Sequence, residues 1–285
     1  MNAVVEAKGL GKSYGSFRAL KGVSFEIPLG RIVGVIGVNG AGKTTMLNAI
    51  LGLIRYDGEL KVLGKDPGAD RANLMNDVCF ISDVATLPRW MRVNEVIDYV
   101  EGVHPKFSRQ TCLEYLGRTK IPPTKKIKEL SKGMVTQLHL ALVMSIDAQL
   151  LVLDEPTLGL DILFRKGFYA ALLGDYFDKN RTIIVTTHQV EEIEHILTDA
   201  MFINDGQVVL YESLDDLAER FQQVTIEAGK AEAAQALGPI YSEAAMGLET
   251  LVFDGVDKAK LKEFGQPRRI GLADLFVAIM TGAEQ

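Results

Sequence analysis

Short apolar runs separated by turns fill the first third of the chain. Ala3-Val4-Val5, Gly22 to Ile27 and the unbroken run Ile32-Val33-Gly34-Val35-Ile36 read as strands. Met46, Leu47, Ile50, Leu51 and Ile54 then recur at helical spacing. Glu59 to Leu63 and Val78 to Ile81 add two strands. From about residue 84 to 149 the pattern turns helical, over Val93–Val100, Thr111–Leu116 and Met134–Ile146, punctuated by Pro88, Pro105 and Pro122-Pro123. Strands return at 149–153, 182–185 and 201–203, with helical runs at 162–176 and 190–197 between them. Strands alternating with helices imply a parallel sheet covered on both faces, with the helical middle as an insertion. Beyond Leu217, strands at 223–226 and 250–253 and helices at 231–237, 258–264 and 272–280 suggest a small α+β appendage. The expected organisation is residues 1–217 as one α/β unit, with its helical part at about 84–149, and 218–285 as an accessory unit.

Charge narrows the partners. The 285 residues carry a formal net charge of −6, so the whole chain does not attract nucleic acid. The runs Lys125-Lys126-Ile127-Lys128 and Arg268-Arg269 read as solvated faces. Two cysteines, Cys79 and Cys112, stand outside any paired motif and read as core thiols of a reducing compartment. No apolar stretch approaches the roughly 20 residues that span a bilayer, and a signal-peptide pattern is not visible. The expected location is cytosolic or peripheral, with any membrane role supplied by a partner.

The candidate chemistry starts at Gly37-Val38-Asn39-Gly40-Ala41-Gly42-Lys43-Thr44, which fits G-x-x-x-x-G-K-[ST]. Glycines let the backbone curl so that several N–H groups face one anion. Lys43 can reach the outer phosphates of a nucleotide, and the Thr44 hydroxyl can hold Mg²⁺. A strand before the loop and a helix after it are the context this motif requires. Leu150-Leu151-Val152-Leu153 then runs into Asp154-Glu155. An acid pair at a strand end is weak evidence alone. Beside a phosphate loop it places Asp154 to hold Mg²⁺ and Glu155 to act as general base on water.

Residues 3 to 217 resemble the nucleotide-binding subunits of ABC transporters, a P-loop NTPase core with an N-terminal antiparallel β subdomain. The resemblance implies ATP and Mg²⁺ as ligands, with Gly37, Asn39, Gly40, Ala41, Gly42, Lys43, Thr44 and Thr45 around the phosphates. Leu130-Ser131-Lys132-Gly133-Met134 stands where the family has Leu-Ser-Gly-Gly-Gln, the segment that caps ATP on the opposite subunit. Lys132 and Met134 depart from that consensus; by itself Ser131 reads equally as a helix N-cap. Leu158-Gly159-Leu160-Asp161 resembles the loop that links the two sites, and His188 the switch histidine that supports Glu155. Tyr14 matches the aromatic that stacks on adenine, or is a half-buried strand tyrosine. The family's Mg²⁺-reaching glutamine is absent; Asp83 takes its place, either as a metal ligand or as an exposed loop acid.

The resemblance further implies a homodimer or a pair with a homologous ATPase subunit, docked peripherally through a separate membrane permease on the cytoplasmic face. The variant signature and the appendage resemble exporter subunits more than importer ones. A soluble ATPase of the same family acting on nucleic acid or ribosomes is the alternative, although tandem cassettes, long coiled coils and basic linkers are not visible. A guanine-reading Asn-Lys-x-Asp motif is missing, and a P-loop kinase would leave Ser131, Asp161 and His188 unexplained.

Overall fold

A computed structural model describes residues 3–81, 87–157, 160–178, 180–227 and 231–282. The chain opens with a long hairpin, β1 (Ala3–Tyr14) and β2 (Phe17–Pro28), turned at Gly15, whose φ is 60°. Next come β3 (Ile32–Ile36), α1 (Lys43–Ile50), β4 (Asp57–Val62), α2 (Arg71–Leu74) and β5 (Val78–Ile81). The helical stretch holds α3 (Val93–Val103), α4 (Arg109–Gly117) and α5 (Lys132–Met144). The chain returns through β6 (Leu150–Asp154), α6 (Ile162–Ala171), β7 (Thr182–Thr186), α7 (Val190–Ile193), β8 (Asp199–Asn204) and β9 (Gln207–Ser213). It ends with α8 (Leu214–Arg220), β10 (Phe221–Glu227), α9 (Ala231–Gln235), β11 (Tyr241–Ala245), β12 (Leu248–Asp254), α10 (Lys258–Leu261), β13 (Arg268–Arg269) and α11 (Leu272–Gly282).

The central sheet has the order β5-β6-β7-β3-β8-β9. Its first five strands are parallel, and β9 adds antiparallel to β8. The sheet is therefore mixed rather than purely parallel. The cause is the Asp205-Gly206 turn, where both residues have positive φ (44° and 72°), which folds β9 straight back on β8 as a hairpin. β3, β6 and β7 are buried at every position, as strands covered on both faces must be.

Their alternating side chains feed two cores. Val33, Val35, Val152 and Ile184 pack with α1 and the three-stranded antiparallel sheet β2-β1-β4. Ile32, Ile36, Leu153 and Val185 pack on the other face with α5, α6 and α11. The helical insertion has its own centre around Val93, Ile97, Cys112 and Leu138. Both cysteines are buried, which raises the Cys79 thiol to about 12 and Cys112 to about 11 and leaves them unreactive.

The last strands form a separate sheet, β11-β12-β10-β13. The expected boundary at 217–218 falls inside α8, whose Leu214 and Leu217 belong to the main core. The helical run expected over 162–176 is regular only to Ala171; Leu172–Tyr176 widens into a π turn. The run at 190–197 is one short helix followed by a 3₁₀ turn, Glu194–Ile196. Among the described residues no helix is long and apolar enough to cross a membrane.

Candidate nucleotide site

Parallel pairing sets the site. β7 lies between β3 and β6, and its Thr186 is level with Val35 on one side and Asp154 on the other. The segments leaving β3, β6 and β7 therefore emerge together, at the strand ends where open α/β sheets bind ligands.

The phosphate loop is pressed against its neighbours. A Cβ on Gly37 would stand 2.4 Å from the Ile203 carbonyl oxygen, and one on Gly42 2.7 Å from that of Ala19. Gly42 also has a φ of 111° as the cap of α1, a conformation that favours glycine. Lys43 Nζ donates to the carbonyls of Gly37 (2.6 Å) and Val38 (3.1 Å), so the ammonium lies across the loop. Burial lowers its pKa from the usual lysine value, and the nearby Glu155 and Asp154 oppose that shift.

Thr44 Oγ1 donates to Asp154 Oδ2 at 3.1 Å, and Thr186 Oγ1 donates to Asp154 Oδ1 at 2.5 Å. Asp154 is buried, so both of its oxygens are held in a fixed direction. Two oxygen-bearing side chains meeting at a phosphate loop suit a hard cation such as Mg²⁺, which takes few protein ligands and completes its shell with phosphate and water. Glu155 sits at a φ of 49° and its N–H donates to the Thr186 carbonyl at 3.2 Å. This bend ends β6. The Glu155 carboxylate meets His188, with Oε2 and Nδ1 2.9 Å apart.

A cavity of about 340 Å³ joins these parts, lined by Tyr14, Phe17, Ala19, Asn39, Gly40, Gly42, Lys43, Thr44, Thr45, Asp154 and Glu155. Gly37 and Ala41 frame the loop behind it, and His188 joins through Glu155. Ser131, Lys132, Gly133 and Met134 do not line it. They open α5, where Ser131 Oγ accepts the Met134 N–H at 3.2 Å. Asp83, Leu158 and Gly159 lie outside the described residues.

The family model described as ABC transporter matches residues 20–158. The ABC transporter ATP-binding protein YtrB of Bacillus subtilis (strain 168) is 28% identical over 221 residues, covering 78% of this chain and 76% of that protein. Nod factor export ATP-binding protein I of Burkholderia orbicola (strain AU 1054) is 30% identical over 213 residues, covering 73% of this chain and 70% of that protein. This chain belongs to the ABC transporter ATP-binding proteins. A solved structure described as an ATP binding subunit of an ABC transporter shares the fold, with a TM-score of 0.67 at 23% identity over 75% of this chain and 91% of that one. As a member of the family, this ABC protein is an ATPase subunit that uses ATP with Mg²⁺.

Two residues of this candidate site are not marked by any motif in the sequence. Phe17 faces Tyr14 across the β1–β2 pair, and both rings stand exposed on the cavity wall, at 57% and 49%. An aromatic on each side of Gly15-Ser16 was the available signal. Thr186 bonds both Asp154 and Glu155, and only its place at a strand end before His188 could have marked it.

Proposed function

We propose that this chain powers an ABC exporter, as one of two ATPase subunits bound to a separate membrane permease. The partner ATPase is a second copy or a homologous subunit. The nucleotide-binding unit covers about residues 1–217 and the remainder is accessory. Each complete site combines the phosphate loop, Asp154, Glu155 and His188 of one subunit with Ser131–Met134 of the other. The export assignment is supported by the similarity to a Nod factor export ATP-binding protein.

In this reading Tyr14 and Phe17 receive adenine, while the loop N–H groups and Lys43 bind the phosphates. Thr44 and Asp154 would hold Mg²⁺, which would supply positive charge against the phosphates of the nucleotide. Glu155 accepts a proton from the water that attacks the γ-phosphorus as the bond to the bridging oxygen breaks. His188 keeps the Glu155 carboxylate aimed. ATP favours the closed dimer because its γ-phosphate contacts the opposite Ser131 only there, and hydrolysis releases that contact.

One observation carries the reading: Glu155 contacts His188 at 2.9 Å directly beyond an Asp154 that is bonded to Thr44 of the phosphate loop. The test is Glu155→Gln. It is expected to keep ATP affinity, to lose turnover by about 100-fold or more, and to accumulate as an ATP-bound dimer on gel filtration. Unchanged turnover would remove Glu155 from the role of base.

A further inference from the structure

His188 follows the end of β7 on a short connection, and its segment continues into a helix of only four residues. A single turn is marginal by itself; its local support includes the bond from the Gln189 N–H to Thr187 Oγ1 at 3.0 Å and the packing of Val190 and Ile193 in the core. A further hold comes from outside. Gln189, next to His188, caps no N–H with its side chain. That side chain accepts instead from Arg165 Nη1 on α6. The same Nη1 donates to both Glu192 oxygens, at 2.8 and 2.9 Å. One guanidinium nitrogen thus meets the segment both at its cap and within the single turn of α7, and it does so partly buried, with 17% of the Arg165 side chain exposed.

The same helix reaches the general base from the other direction. Tyr169 lies one turn beyond Arg165, on the same face of α6. Its hydroxyl is 3.2 Å from Thr157 Oγ1, two residues past Glu155, and both side chains are buried. α6 is therefore tied to the chain that leaves β6 with Glu155 and to the chain that leaves β7 with His188.

We infer that Arg165 is a positioning residue for hydrolysis: with Tyr169 it makes α6 the brace that sets His188 against Glu155. The inference rests on the ATPase reading above. It adds that the separation of these two side chains is governed by a third element that touches no nucleotide. The demand on Arg165 is geometric. The planar guanidinium carries Nη1 on a rigid, pre-organised frame, whereas an ammonium, although it has three donors, is a compact, strongly hydrated charge on a flexible stem that fixes no direction.

The test uses the full chain with Arg165→Lys and, separately, Gln189→Ala, neither of which buries an unpaired charge. Three quantities are compared with wild type: kcat and KM for ATP, the melting temperature, and amide hydrogen exchange over residues 187–193. The expected result is a fall in kcat of about 10-fold with KM nearly unchanged, because misplacing a reacting group costs rate and not ground-state binding. Exchange should quicken over 187–193 and stay unchanged in α1, with the melting temperature held. Unaltered kcat overturns the inference. So does a fall in kcat accompanied by lower melting temperature and faster exchange throughout the core, which would make Arg165 a general stabiliser. A wild-type protein without turnover sinks the ATPase reading instead, and exchange over 187–193 then decides alone whether the clamp exists.

Discussion

Glu155 holds the backbone strain of the site. A non-glycine residue at a φ of 49° costs of order 1–3 kcal/mol, and here its N–H is anchored on Thr186. The bend ends the strand one residue after Asp154, so adjacent acids take different partners: Asp154 turns to Thr44 and Glu155 to His188. At the far end of the cavity, Tyr14 and Phe17 form a cross-strand aromatic pair, with Lys12 Nζ 5.1 Å from the Tyr14 ring centre. An aromatic contact contributes about 0.5–1.5 kcal/mol beyond area burial. Tyr14→Ala and Phe17→Ala are each expected to raise the Kd for ATP about 3- to 10-fold, whereas Tyr14→Phe stays near wild type. Inorganic triphosphate, lacking a base, should bind all variants alike. Fluorescent-nucleotide displacement measures this, and an unchanged Kd in Phe17→Ala would exclude that ring from the base site. Motif residues such as Lys43, Thr44 and Asp154 were legible as neighbours of one cavity because local spacing places them there. Phe17, Thr186 and Arg165 were not, because each acts through a partner brought near by strand register or helix packing, which no local spacing records.

Among the elements, legibility followed burial. β3, β6 and β7 are buried on both faces and wrote themselves as continuous apolar runs. β9 is a half-buried edge strand and β11 a largely exposed one, neither buried at any position, so their turns, Asp205-Gly206 and Met246-Gly247, were the clearest signal of them. The helical insertion was visible as a change of period, but its attachment to the core was not. That attachment includes Asp77, just before β5, which accepts from Lys106 Nζ at 2.5 Å in the α3–α4 connection and also faces Lys65 at 3.6 Å. The Lys106 hydrogen bond holds the Asp77 pKa below the ordinary carboxylate value, so the folded state takes up a proton less readily than the unfolded chain. The pairing is complete above the unfolded value, about 4, and its contribution is lost as pH falls through the lower folded value. Asp77→Asn is therefore expected to be less stable than wild type near neutrality and to lose less on acidification below about pH 4. Denaturant midpoints recorded across that range check this, and parallel curves for the two proteins would rule it out.

At the scale of the whole molecule, the arrangement bears on how many chains make one site. The phosphate loop, Asp154 and Glu155 share a cavity, but the start of α5 with Ser131 and Gly133 is not part of its wall. If Ser131 caps ATP on another copy, two differently damaged chains can repair each other. Lys43→Met spoils the phosphate loop and leaves the α5 start intact; Ser131→Arg does the opposite. Each variant alone would have two defective sites per dimer. A mixed dimer has one site in which the loop of the Ser131→Arg chain meets the Ser131 of the Lys43→Met chain, both unaltered. Random pairing of equal amounts makes about half the dimers mixed, so the mixture is expected to recover about a quarter of wild-type turnover, provided the two sites act independently. Turnover should also rise with protein concentration as chains pair. The C-terminal part packs on the main core through Phe221, Val252, Leu272 and Leu275, and the first N–H of α11 donates to Glu194 at 3.0 Å; neither substitution alters these residues, so both variants should retain that packing. Steady-state phosphate release from the mixture decides the matter. Activity no greater than the sum of the two separate variants, with mixed dimers demonstrated by differently tagged chains, would mean that Ser131 serves no partner's nucleotide and that each chain completes its own site.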